Sequence, residues 1–86
     1  GFVPLFVNMS EERIKLIWDL RSIDAKEVAE HHVKHLREYI ASKDLVDTTA
    51  DCTEIFPHYY VAFILTSKEY MIQLRDDLKP HRGEYV

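Results

Sequence analysis

The chain has 86 residues, enough for one domain, and a domain of that size buries only about 60% of its unfolded-chain surface. Because 47% of the residues are apolar, some of that surface is expected to need a second copy of the chain to cover it. The formal charge of −4 argues against a nucleic-acid module, which would show a basic face, and no run approaches the ~20 apolar residues of a membrane span.

Gly1-Phe2-Val3-Pro4-Leu5-Phe6-Val7 is apolar, but it is short, is interrupted by Pro4 and lacks a basic start, so it does not read as an intact signal peptide. Met9 before Ser10-Glu11-Glu12 reads as a natural start. Residues 1–10 are therefore assigned as an N-terminal extension, either a docking arm or a remnant of cloning, and residues 11–86 as the folded domain.

Residues 13–21 alternate. Ile14, Leu16, Trp18 and Leu20 point one way; Arg13, Lys15, Ile17, Asp19 and Arg21 point the other. That period predicts a strand with one strongly apolar face. Asp24-Ala25-Lys26-Glu27 reads as a capping box opening a helix that runs to about Lys43. Its apolar stripe is Ala25, Val28, Ala29, His32, Val33, Leu36, Tyr39 and Ile40, with Lys26, Glu30, Lys34 and Arg37 away from it.

Residues 46–55 are rich in threonine and predict a polar edge strand. Cys52 lies on it and is the single cysteine, so no intrachain disulfide can form; a reducing, cytoplasmic setting is expected. Its thiol reads as structural, since no basic residue is close in sequence. Phe56-Pro57 marks a turn. Residues 58–65 are apolar on both faces, the pattern of a central strand covered on both sides. Thr66-Ser67-Lys68-Glu69 repeats the capping-box signal before a helix that buries Tyr70, Met71, Leu74 and Leu78 and stops near Lys79-Pro80. His81-Arg82-Gly83 turns into a short last strand, Glu84-Tyr85-Val86.

The order β, α, β, β, α, β predicts an α+β domain of the ferredoxin-like kind. Right-handed crossovers would place both helices on one face of a four-stranded antiparallel sheet. Ile17, Tyr60, Ala62 and Ile64, or the alternate set, would line the other face. A homodimer that covers this face with a second sheet would be a dimeric α+β barrel.

This element order, the His31-His32-Val33-Lys34-His35-Leu36 stretch and the closing Leu78-Lys79-Pro80-His81-Arg82-Gly83 turn resemble the small dimeric α+β-barrel proteins, a group that includes YCII-like and EthD-like domains. The resemblance spans residues 13–86. It implies a fold and a dimer. It implies no reaction, because this fold hosts many.

In such a sheet the end of the first strand lies beside the starts of the third and fourth. Asp19, Arg21, His58, His81 and Arg82 should gather there, with Trp18 close by. Donors beside aromatic rings can hold a carboxylate or supply an acid–base pair. Solvated strand-end residues tied into surface ion pairs are the plainer reading. A small, partly hydrophobic carboxylate is expected to meet Arg21, His58 or Arg82 with its polar end and Trp18, Tyr60 or Phe63 with its apolar part.

His31 and His35 are one helical turn apart and can meet on one face. The glutamate of a His-Glu-x-x-His helix is absent and Lys34 and Arg37 stand near, so no metal is expected. His32 reads as a core histidine, and Tyr59, Tyr60 and Tyr70 as core or interface residues. Phosphate loops and nucleophile elbows are missing, and no cofactor is expected. The reading is a dimeric small-molecule binding module. A cofactor-free isomerase- or oxygenase-like enzyme with His58 or His35 as base, and a structural or regulatory dimer, are the alternatives.

Overall fold

The alternation that starts at residue 13 forms strand β1 (Arg13–Arg21), with the bounds the sequence predicts. In the computed structural model, which describes residues 12–86, five further elements follow. They are helix α1 (Ala25–Ser42), strands β2 (Thr49–Phe56) and β3 (Tyr59–Ser67), helix α2 (Met71–Leu78) after a short 3₁₀ turn (Lys68–Tyr70), and strand β4 (Arg82–Tyr85). The sheet is antiparallel in the order β2-β3-β1-β4, the ferredoxin-like α+β arrangement. The proposed extension at residues 1–10 lies outside the described residues. None of the described helices is long and apolar enough to cross a membrane.

Register decides what each sheet face carries, because cross-strand partners share a face and neighbours along a strand do not. Trp18 pairs with Ala62, Leu16 with Ile64 and Ile14 with Thr66. The apolar members of these pairs and Ala50 meet Val33, Leu36 and Leu74 of the two helices in one core. Ile17 pairs with Phe63, Asp19 with Val61 and Arg21 with Tyr59 on the opposite, open face. Tyr60, Ala62 and Ile64 thus turn to the helices, which corrects the first of the two assignments for the open face. That face is also less bare than expected. Ile17 and Val61 on it are only 3% and 5% exposed, whereas much barer apolar side chains, such as Ile23 at 86% and Phe56 at 67%, sit near the strand–helix and hairpin turns. Lys15 lies across the Phe63 ring at 4.5 Å and Arg21 across Tyr59 at 4.1 Å, so charged side chains shelter part of the apolar strip.

Helix α1 buries Ala25, Ala29, Val33 and Leu36, a narrower stripe than predicted; Val28 is exposed. The capping box does not form. Asp24 has a backbone unlike an extended cap residue (φ −106°, ψ 29°), and its carboxylate accepts the Ser22 hydroxyl at 2.7 Å. The second cap moves by one residue. Thr66 is buried with its hydroxyl 2.9 Å from that of Thr48, so Ser67 accepts the Glu69 amide in its place. β2 begins three residues later than predicted, at Thr49, because Asp44 and Asp47 take positive φ of 53° and 50° and break the extended run. α2 ends as Lys79 enters the left-handed region (φ 51°) before Pro80.

Candidate functional site

The end of β1 does lie beside the starts of β3 and β4, and a knot of charges forms there on the open face. Arg82 grips Asp19 with two bonds, Nε to Oδ2 at 3.0 Å and Nη2 to Oδ1 at 3.1 Å. Its remaining Nη1 donates to Glu84 at 2.9 Å. The Tyr59 hydroxyl donates to Asp19 Oδ1 at 2.6 Å, and Arg21 stacks on the Tyr59 ring. The Arg82 bonds, then the Tyr59 bond, pull the Asp19 carboxyl down to about 2. Such a carboxylate is a poor base at neutral pH, and its cation is already held.

The other predicted site residues lie apart. Phe63 shares the open face under Lys15. Trp18 is buried on the helix side, where its indole N–H donates to the Leu78 carbonyl at 3.1 Å and its ring meets His32 edge-on at 4.9 Å. Tyr60 also turns to the helix side. It borders a shallow depression with Ile23, Lys26, Pro57 and His58 at the hairpin turn. His58 adopts a left-handed backbone (φ 68°), and its carbonyl accepts the Ser22 amide at 3.0 Å. His81 stands before β4, where its Nδ1 accepts the Asp19 backbone N–H at 2.9 Å. A neutral His81 ring therefore carries its proton on Nε2, as a donor.

A second region reaches from His81 to the helix side. Between α2 and the β4 edge runs a groove of about 370 Å³. Ile14 and Leu16 form its floor, Met71 and Arg75 its helix wall, and the segment from Pro80 to Tyr85, with the mutually paired Arg82 and Glu84, its outer wall. Gly83 pairs with Leu16; a Cβ there would stand 3.2 Å from Leu16 Cδ2, so the missing side chain keeps the floor open. Arg75 donates from Nε to its neighbour Asp76 at 3.2 Å, and among the described residues its two Nη groups have no partner. Sequence reasoning missed Arg75, Met71, Ile14 and Tyr85 as site residues. The available signal was the one-turn spacing of Met71 and Arg75 on the side of α2 that also holds Leu74, together with a glycine in the closing strand.

The remaining reactive side chains stand elsewhere. Burial pushes the Cys52 thiol up, which suits a structural thiol. Burial also lowers His32, whose Nε2 is enclosed without a partner among the described residues. His31 and His35 face each other on the exposed side of α1. Comparison with protein families, with curated proteins and with solved structures finds no match to this chain.

Proposed function

We propose that this chain is a binding module for a small amphipathic carboxylate, seated in the groove between α2 and β4. The observation that carries the reading is a groove with Ile14 and Leu16 beneath it, themselves only 4% and 3% exposed, beside the Arg75 guanidinium, whose Nε is held by Asp76 and whose two Nη groups have no partner among the described residues. The groove falls in the usual size range of small-molecule sites. An alkyl tail on Ile14, Leu16 and Met71 gains about 0.8 kcal/mol per CH₂ removed from water. Its carboxylate takes a charge-assisted bond from Arg75. His81 favours binding over base catalysis, since its free ring position is an N–H and not a lone pair. The polar end thus moves from Arg82, which Asp19 and Glu84 hold, and from Arg21, which lies over the Tyr59 ring away from the groove, to Arg75.

The homodimer is part of the same proposal. A second copy would meet the open face at Tyr59, Phe63 and Leu65, which stay partly exposed. Light scattering at micromolar concentration is expected to give twice the 10.2 kDa chain mass; a clean monomer removes the dimer and leaves the groove.

NMR shift mapping with octanoate tests the site. Shifts are expected at Ile14, Leu16, Met71, Arg75 and Tyr85. Shifts confined to residues 18–21 and 58–63, with none at the groove, would return the site to the sheet end and overturn the reading.

A further inference from the structure

Glu27, His31, His35 and Glu38 follow one another along a single strip of α1, and all four are exposed. His31 Nε2 and His35 Nε2 lie 3.0 Å apart, with the ring centroids 4.5 Å apart and the planes edge to face. His35 Nδ1 stands 3.8 Å from the Glu38 carboxylate. With the proton on Nδ1, towards that carboxylate, the His35 Nε2 lone pair faces His31.

The separation matters chemically. An ion bound about 2.0–2.1 Å from two imidazole nitrogens that are 3.0 Å apart would see them at an angle of about 95°. That is the angle between neighbouring ligands in square-planar and octahedral coordination. We propose that His31 and His35 form a two-imidazole chelate for a late divalent transition-metal ion, with Cu(II) held most tightly and Ni(II) and Zn(II) less so. This reverses the expectation that the histidine pair takes no metal. The chelate needs a tautomer change in His31, which moves its Nε2 proton to Nδ1, and a turn of both exposed rings that swings the two Nε2 lone pairs from each other towards the ion. Among the described residues no group of three His, Cys, Asp or Glu side chains could hold an ion, so the other coordination positions are left to water or an incoming ligand. Lys34 and Arg37 lie near the pair, but Arg37 is turned to the Ala50 carbonyl and Asp51, and Glu27, Glu30 and Glu38 on the same helix outnumber the two cations.

The full chain, stripped with EDTA and titrated with ZnCl₂, tests this, with the ring signals of all five histidines followed by NMR. Zinc is expected to move the His31 and His35 signals together and to saturate at one ion per chain. His31→Gln and His35→Gln, both surface changes, should each weaken binding at least about tenfold, the loss that even an outer-shell change commonly brings. The thermal midpoint of the wild type should rise with added ion, and that of either variant should not. Unchanged affinity in His35→Gln, or shifts at His58, His81 and Cys52 with none at the pair, would overturn the chelate.

Discussion

The two faces of the sheet near the end of β1 hold similar inventories of cations and aromatic rings but differ in what those groups are free to do. On the open face Arg82, Asp19, Tyr59 and Glu84 satisfy one another, and Arg21 lies over the Tyr59 ring. Across the sheet, the Arg75 Nη groups and the His32 Nε2 have no partner among the described residues, and the groove beside Arg75 is lined by apolar side chains such as Ile14, Leu16 and Met71. Convergence of donors is therefore a poor guide to a binding site by itself. A group already held by a neighbour must break that bond before it can take a ligand, whereas an uncommitted donor beside open apolar surface loses only water.

The helix-side face should also carry most of the stability. Leu36 is almost fully buried at its centre, so Leu36→Ala is expected to cost about 2–5 kcal/mol in denaturant unfolding. Glu30→Ala on the exposed side of the same helix should stay within about 0.5 kcal/mol. Equal losses would mean that the core lies elsewhere.

The open-face knot should matter next. Asp19→Asn weakens its hold on Arg82 and Tyr59 and is expected to cost about 1 kcal/mol. Its pH signature is sharper. Asp19 falls from its ordinary value of 3.8 to about 2 in the folded chain, so its contribution is fully present above pH 4 and is lost as pH falls towards 2. Melting curves of Asp19→Asn should lack that segment of acid loss. An identical acid profile would show the knot to be inert.

His32 should give the smallest effect. Burial lowers its folded pKa below the ordinary 6.5, with His35, His81 and His31 adding to the same direction. The unfolded chain then takes up the proton first, so stability present above about pH 6.5 declines on acidification below it. His32→Phe keeps a ring against Trp18 and should flatten this decline in chelator-containing buffer; the same slope in both proteins would contradict it.

Much of the fold was legible. β1 declared its bounds because apolar and charged residues alternate along it at every step but Ile17, and the buried spine of α1 follows its 3.6-residue period. The Asp19–Arg82 meeting, 63 residues apart in the chain, followed from topology alone. Three things were not legible. The Asp24 cap failed because Ser22, two residues away, competes for the carboxylate. Trp18 and Arg82 looked like companions until register put them on opposite faces. The groove depends on how far α2 stands from a strand whose second residue is Gly83, a distance that no local pattern records.

The most direct test of the groove against the sheet end is the affinity for a medium-chain carboxylate such as decanoate in two variants, Arg75→Gln and Arg21→Gln. A charge-assisted bond is worth about 1.5–3 kcal/mol, so Arg75→Gln should weaken binding roughly ten- to a hundredfold, with Arg21→Gln close to the wild type. The opposite order, a loss in Arg21→Gln with Arg75→Gln unaffected, would contradict this account.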